Sequence, residues 1–291
     1  MLLNGPTHTL TDFQAEYAGL LMGDGTPYGL PPGLDWLDLP PLKTMDQARD
    51  WADGSWSGPD FTDVRTITAT LEISPTVGTT FRAACTAFLT AITAGSHDLP
   101  FWMKLPGFPV LGIGAKVAKR SLPIDIGFEL GTLATAAVQW RAVNPQWQSL
   151  PRSTTLIPVG AAPSGMRFPL FTVGGIISFG ATGTSASTAV LQNAGNAPAW
   201  PLITMQGPCS GFTVTLDGNP VTYGAAIATG QSVTLDYATG RATLVATGAT
   251  PGVDRTYNLT SRRFSPVIAT STIALAADGG SATVTIADLW R

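Results

Sequence analysis

The chain has 291 residues, of which only 12% are charged and 44% are hydrophobic. The formal net charge of −3 offers no basic footprint for nucleic acid, and no apolar run approaches the roughly 20 residues of a membrane-spanning helix. Because globular proteins typically carry about 25% charged residues, we expect a surface that is rich in threonine, serine and glycine, covered by other subunits, or both.

The first half of the chain mixes strands with one helix. Residues 64–73 (VRTITATLEI) alternate apolar and polar side chains, which predicts a half-buried strand. The period then changes to that of a helix, for which Thr79 or Thr80 can cap the start and Gly95 can provide the end. The apolar stripe of this predicted helix consists of Phe81, Ala84, Cys85, Phe88 and Ile92.

Strands are also predicted at 100–104, 108–118 and 121–142, whereas residues 13–23 fit either period. Residues 151–168 are proline-rich and have no strong period, which predicts a linker between domains at 1–150 and 169–291.

The chain beyond the linker is all β in pattern. Apolar side chains alternate on both sides of the turn Asp217-Gly218-Asn219-Pro220, and the pattern repeats around an Ala-Thr-Gly turn at 238–240. Short strands separated by glycine, aspartate and asparagine turns are typical of a β-sandwich. The residues predicted to face its core are Phe212, Val214, Leu216, Val221, Tyr223, Val233, Leu235, Tyr237, Leu244, Ala282, Val284 and Ile286.

A rigid corner is predicted ahead of the strand at 202–205, in the stretch LQNAGNAPAWPLITMQGP (191–208). Pro198 and Pro201 fix the backbone φ and remove two hydrogen-bond donors. Trp200 between them is large enough to fill a core or a contact. These three residues are therefore interpreted as structural, since the stretch contains no reactive group.

Residues with catalytic potential are few. His8 and His97 are the only histidines, and His97 follows the predicted helix, where turns and caps are the ordinary role. The stretch GSWSG (54–58) places Trp56 where a nucleophilic serine would stand. Cys85 and Cys209 are isolated in the sequence, and we expect both to be buried, reduced thiols of a protein that folds in a cytoplasm.

Two glycine-containing segments also fall short of known sites. VLGIGAKVAK (110–119) lacks the third glycine of a dinucleotide loop, and residues 49–60 miss the spacing of a calcium loop and are read as an exposed loop. No catalytic, cofactor-binding or metal residue is predicted, and the chain is not expected to be an enzyme.

A carbohydrate-binding β-sandwich module is kept as the alternative function. Such modules bind sugars on exposed aromatic side chains, and the predicted second domain contains several. These aromatic residues are Trp200, Tyr223, Tyr237, Tyr257 and Trp290.

The chain resembles the distal tail proteins, also called minor tail proteins, of phages with long non-contractile tails. The stretch at 191–208 is similar to the Asn-x-Gly…Pro…Pro-x-Ile pattern that opens the family's C-terminal domain, and IATGQSVTLDYATGRATL (227–244) is similar to its Gly-x-x-Leu-x-Ile-Asp…Gly pattern. Residues 13–44 and 53–73 resemble the family's opening strands, and RAVNPQWQS (141–149) its closing segment. The terminal ALAADGGSATVTI (274–286) departs from the family's Pro-Gly-Asn pattern.

The resemblance implies a mainly β protein: an N-terminal split-barrel-like domain with one helix, in which 13–23 is a strand, and a C-terminal galectin-like sandwich. It implies a structural virion protein of the tail tip or baseplate, assembled in the host cytoplasm. The N-terminal domains of the family form a ring, typically a hexamer, that joins the tail tube to the distal tip and the adsorption apparatus. Expected partners are further copies of the chain, tail-tube and tail-tip proteins, and a host surface glycan, with no cofactor.

Overall fold

The structure is a computed structural model that describes residues 2–31, 35–158, 187–246 and 252–291. The chain divides into two compact units. The first unit consists of residues 3–151 together with Trp290 and Arg291, and the second consists of Leu2 with residues 152–289.

The described part of the first unit contains strands of two to twelve residues, one three-turn helix and one single-turn helix. In chain order these are β1 (Gln14–Tyr17), β2 (Leu20–Met22), β3 (Tyr28–Gly29), β4 (Leu42–Thr44), β5 (Gln47–Ala48), β6 (Ser55–Trp56), β7 (Asp60–Thr62), β8 (Arg65–Ile73), α1 (Phe81–Ala91), β9 (Leu99–Lys104), β10 (Val110–Ser121), α2 (Ile126–Glu129), β11 (Ala134–Ala142) and β12 (Trp147–Leu150).

The main sheet of the first unit is a nearly closed barrel. Its strand order is β2-β1-β9-β10-β11-β8-β3, with β12 paired to β10. The two ends of this order meet where the Gly23 N–H donates to the Tyr28 carbonyl at 2.8 Å. A core rich in aromatic side chains fills the interior, with the Phe101 ring centroid 5.0 Å from that of Trp140 and 5.2 Å from that of Trp36.

The structure confirms the strand and the helix predicted from the sequence as β8 and α1. Inward side chains of β8 are buried and outward ones exposed along the whole strand, as the alternation predicts. Thr80 is the N-cap of α1, since its hydroxyl accepts from the Ala83 N–H. The helix ends at Ala91, ahead of the predicted Gly95, and Arg120 donates to the Leu89 carbonyl at 2.8 Å at this end. The Arg120 side chain from β10 thus provides a hydrogen-bond donor to the C-terminal carbonyls of α1.

Two predictions in the first unit need correction or refinement. Residues 121–142 are not one strand, because α2 separates β10 from β11. The Asp125 side chain caps α2 by accepting from the Phe128 N–H, and the Phe128 ring packs edge-on against Phe81 of α1. Residues 13–23 are extended, as the resemblance implies, but they form a hairpin of β1 and β2.

The second unit contains the remaining elements. They are β13 (Ser153–Pro158), β14 (Ser187–Gln192), β15 (Leu202–Gln206), β16 (Phe212–Leu216), β17 (Asn219–Tyr223), β18 (Gln231–Asp236), β19 (Arg241–Ala246), β20 (Val253–Asp254), a 3-10 turn (Thr256–Asn258), β21 (Leu259–Arg262), β22 (Thr270–Ala277), β23 (Ser281–Ile286) and β24 (Leu289–Trp290), of which Trp290 belongs to the first unit.

Two antiparallel sheets enclose the core of the second unit, so it is a β-sandwich. One sheet has the order β13-β23-β15-β18-β19-β20 and the other β14-β22-β16-β17-β21. The predicted hairpin of β16 and β17 is present, with Asp217 and Gly218 both at positive φ in the two-residue turn. All predicted core residues of the sandwich are buried except Leu244, which is half-buried. A mainly β fold is confirmed.

The predicted linker at 151–168 begins with a strand. β13 pairs along its whole length with β23, at the edge of the six-stranded sheet. An edge position tolerates Pro158, which has no N–H to donate, and one inward side chain, Ile157, is buried in the core. Residues 159–168 of the predicted linker, and the start of the predicted C-terminal domain at 169–186, lie outside the described residues.

Candidate interaction surface

Residues 42–62 form a two-stranded projection, called the arm, that precedes β8. β4 pairs with β7, and β5 pairs with β6, both antiparallel. No arm residue is buried, and neither pair of strands is part of the barrel sheet. Because an isolated two-stranded hairpin is only marginally stable in water, this segment is suited to packing against a further surface.

A glycine joins the two halves of the arm. A Cβ atom at Gly58 would lie 2.2 Å from the Met45 carbonyl oxygen, so only glycine allows these two segments of the arm to approach this closely. The Gly58 N–H also donates to the Asp46 carboxylate at 2.9 Å. The joint therefore holds the two strand pairs together without a buried side chain.

The base of the arm is fixed to the barrel by Arg65, the first residue of β8. Its side chain is buried, and its guanidinium donates to the carbonyls of Trp36, Asp38 and Pro145 at 3.1, 2.5 and 3.0 Å. Burial lowers the pKa of Arg65 from its usual value. The Trp36 indole donates in turn to the Thr68 carbonyl at 2.9 Å.

An ion pair lies beside this base. Lys43 Nζ is 2.9 Å from the Asp63 carboxylate, and its hydrogen bond holds the pKa of Asp63 below the ordinary value. The Asp63 N–H donates to the Pro41 carbonyl at 2.8 Å. The start and end of the arm are therefore held together at a defined point.

The arm exposes an unusual amount of apolar surface. Trp51 at its tip is 98% exposed and Trp56 is 64% exposed, and the Arg49 guanidinium lies 4.5 Å from the Trp56 ring centroid. Leu42, Met45 and Phe61 are also exposed. Contiguous exposed apolar side chains mark interaction sites, and tryptophan is enriched among residues that dominate binding energy. Residues 49–60 are largely exposed, as the sequence predicts, but they include the strand β6, which pairs with β5.

The structural residues predicted at the corner lie in the second unit. Pro201 is buried, Pro198 is half-buried, and Trp200 is half-buried against the sandwich core. Ala197 and Ala199, on either side of Pro198, form isolated bridges with Leu289 and Val267, respectively.

Asn193 organises this corner, a role that the sequence pattern Asn-x-Gly signals without revealing the partners. Its buried side-chain amide donates to the carbonyls of Ala197, Val267 and Ile268 at 2.7, 3.2 and 3.2 Å. Its oxygen accepts from the N–H groups of Gly195 at 3.0 Å and Leu289 at 3.3 Å. One side chain thus satisfies backbone groups from three segments of the chain.

Both histidines belong to the first unit. His97 is exposed between α1 and β9, and within the described residues its ring has no hydrogen-bond partner. His8 lies 2.9 Å from Glu16, a buried carboxylate that also accepts from the N–H groups of Thr7 and His8. Burial acts to raise the pKa of Glu16, but these hydrogen bonds outweigh it and the pKa is lowered. The pair tethers the N-terminal segment to β1.

The aromatic residues on which the carbohydrate alternative depends do not gather on one surface. Tyr223 and Tyr237 are buried, and Trp290 packs against the core of the first unit. Tyr257 is exposed, and its hydroxyl accepts from Arg255 at 2.6 Å.

The described ranges contain no group of three or more histidine, cysteine, aspartate or glutamate side chains placed to hold a metal ion. Among the same residues, no helix combines the length and the apolar character required to cross a bilayer.

The fold of this chain is similar to that of solved phage hub and baseplate structures. The crystal structure of the phage SPP1 Dit protein (gp 19.1), described as a paradigm of the hub adsorption apparatus in phages that infect Gram-positive bacteria, matches with a TM-score of 0.64 at 12% identity. The match covers 97% of this chain and 100% of that one.

The phage P2 baseplate in its activated conformation gives a second likeness. With Ca it matches with a TM-score of 0.59 at 10% identity, covering 94% of this chain and 97% of that chain, and with Sr the TM-score is 0.54. No protein-family model and no curated protein sequence matches the chain. The fold implied by the resemblance to distal tail proteins is thus found in solved structures at sequence identities where only the fold is shared.

Proposed function

We propose that this protein is a structural component of a phage tail tip, in which copies of the first unit associate into a ring, and that the arm is a contact between copies. The exposed arm carries this proposal, because a projection with two largely exposed tryptophans and no core is suited to packing on another subunit. The hub and baseplate proteins of the same fold support the place in the virion. A ring requires a head-to-tail contact that closes, typically with six copies in the resembled family.

The proposal is tested by the mass of the full-length protein in solution. Size-exclusion chromatography with light scattering should show an oligomer, and negative-stain images should show rings with a central hole. The double variant W51S/W56S should be monomeric, because it removes the largest exposed apolar side chains of the arm. The variant Tyr257→Ser, which removes an exposed aromatic side chain of the second unit, is the matched control and should remain oligomeric.

A monomeric wild-type protein across the accessible concentration range would contradict the proposal. An oligomer that W51S/W56S leaves intact would contradict the role of the arm but not the ring.

We also infer that the protein has no enzymatic activity. In the described part of the chain, the His97 ring is exposed and has no hydrogen-bond partner, and the likeness of the fold to phage hub and baseplate structures also supports this inference. In the encoding phage, His97→Ala should leave tail assembly and infectivity unchanged. Loss of plaques by a normally folded, normally assembled variant would overturn the inference.

The alternative of a carbohydrate-binding module remains a prediction without a supporting surface in the described residues, and binding to a glycan array is its test.

A further inference from the structure

The outer face of β8, β11 and β10 is an open sheet surface with a basic end. The pairing register places Thr66, Arg141 and Lys116 in one cross-strand row, and Thr68, Gln139 and Lys119 in the next. The third row carries the small side chains of Thr70, Ala137 and Ser121, and beyond it Glu72 of β8 lies opposite Thr135. This surface, called the β10 face, is defined by the outward residues Thr66, Thr68, Thr70, Lys116, Lys119, Ser121, Ala137, Gln139 and Arg141.

A β-bulge brings the two lysines to the same face. Side chains three positions apart on a regular strand point to opposite faces. The register of β10 against β11 shifts between Val117 and Lys119, so that Lys116 pairs with Arg141 and Lys119 with Gln139. One extra residue in the strand therefore directs Lys116 and Lys119 outward together, and bulges of this kind are a common way to re-aim side chains at functional sites.

In the described residues, none of the three cations of the β10 face lies within ion-pair distance of a carboxylate, although Arg141 is close enough to Asp63 of its own copy to help lower the pKa of that carboxyl. Beside them, a shallow groove of about 440 Å³ is lined by Thr68, Lys119, Ser121, Ala137, Val138 and Gln139. Its side chains are small or polar, so a projecting aromatic or aliphatic side chain can enter without displacing a bulky neighbour. The strands of the arm pair with one another and not with β10 or β11 of the same copy.

The arm has the complementary charge. Its four aspartates, Asp46, Asp50, Asp53 and Asp60, outnumber its cations, Lys43 and Arg49, so its formal net charge is −2. Lys43 is engaged by Asp63 at the base, and Arg49 lies over Trp56. The distal arm therefore presents carboxylates together with Trp51 and Trp56.

We propose that the arm of one copy docks on the β10 face of a second copy, with its aspartates against Lys116, Lys119 and Arg141 and a tryptophan over the groove. The proposal rests on the proposed self-association and names the surface that receives the arm. Two different, complementary patches on one chain make a head-to-tail contact, which is the kind that generates a ring when it closes.

Proximity is tested by cross-linking between two full-length proteins that each carry one new cysteine. Ser55→Cys on the arm and Ser121→Cys on the β10 face replace exposed serines, and Ser96→Cys after α1 is the control. The native Cys85 and Cys209 are buried, and burial raises the pKa of both thiols, so they react slowly with a bis-maleimide. A mixture of S55C and S121C should yield a covalent heterodimer, and a mixture of S55C and S96C should not.

Charge exchange tests the electrostatic part. Lys119→Glu and Asp53→Lys should each weaken association about tenfold, because close interfacial charge pairs contribute strongly to affinity. The combined variant K119E/D53K should regain part of the lost affinity, since the reversed pair is again complementary. Arg82→Glu, on an exposed turn of α1, makes the same charge change away from the face and should leave association unchanged.

The outcomes separate the two proposals. A wild-type oligomer in which S55C fails to couple to S121C, or in which K119E behaves like R82E, overturns the docking site and leaves the proposed ring standing. A wild-type protein that is monomeric by light scattering overturns both.

Discussion

Replacing Asn193 by alanine should destabilise the second unit by about 3 kcal/mol. The variant loses five hydrogen bonds made by one buried amide. The Val267 carbonyl keeps a second donor, the Ala199 N–H at 2.9 Å, but the buried N–H of Leu289 and carbonyl of Ala197 lose the side-chain partner. Each buried polar group left without a partner costs about 1–3 kcal/mol, and two such groups give the expected value.

The assay is urea unfolding of the full-length protein followed by far-UV circular dichroism, with hydrogen exchange to localise the change. Exchange should accelerate in peptides that contain residues 193–200 and 281–289. Asn193→Asp should cost at least as much, because it retains the acceptor but directs a carboxylate at three carbonyls. Gln192→Ala, the exposed neighbour, is the control. If N193A and Q192A unfold at the same urea concentration, the corner is not held by this side chain and the reasoning is refuted.

Three further predictions concern packing, backbone conformation and pH. Trp200→Ala should destabilise by about 2 kcal/mol in urea unfolding, less than the roughly 3–5 kcal/mol of a fully buried tryptophan, since this side chain is half-buried. The Gly23→Ala variant should melt well below the Gly25→Ala variant. Both glycines have positive φ, but only at Gly23 would the new Cβ lie 2.3 Å from a backbone atom, the Phe13 carbonyl oxygen. Equal melting temperatures of the two variants would contradict this. Folding lowers the pKa of Glu16, so the ionised carboxylate stabilises the folded state fully above its unfolded pKa of about 4.5, and this stabilisation is lost as the pH falls through the folded pKa. The difference in unfolding free energy between wild type and E16Q should therefore shrink on acidification. A difference that stays constant with pH would contradict this.

The sequence predicts those helices and strands that bury one face and expose the other to solvent. The strict alternation of β8 and the helical stripe of α1 are of this kind, since burial alone fixes which residues must be apolar. The β16–β17 hairpin is predictable for a different reason. Its Asp-Gly turn requires positive φ at both positions, which few residue pairs adopt without strain.

Elements without a clear buried face are harder to predict from the sequence. Ile126 of α2 and its C-cap residue Leu130 are exposed, so the apolar residues here mimic the continuation of a strand. β13 lies at a sheet edge and ends on Pro158, so its sequence has the composition of a linker.

The periodicity of the sequence does not predict the candidate interaction surface. The arm buries nothing, and the shared direction of Lys116 and Lys119 depends on a one-residue bulge that no local pattern reveals. Contacts between distant strands, not local propensity, determine these features.

The division of the chain into units has a consequence for the design of truncated variants and for the exchange of modules between related genes. Leu2 is counted with the second unit, and Trp290 and Arg291 with the first, so the chain passes between the units three times. A single cut near residue 150 therefore produces a first piece without Trp290, which packs against its core, and a second piece that carries this tryptophan without its packing partners. A self-sufficient first module is better obtained by replacing 152–289 with a short loop that retains the last two residues. For the same reason, recombination that swaps the sandwich is least disruptive when both of its boundaries, and not one alone, are exchanged.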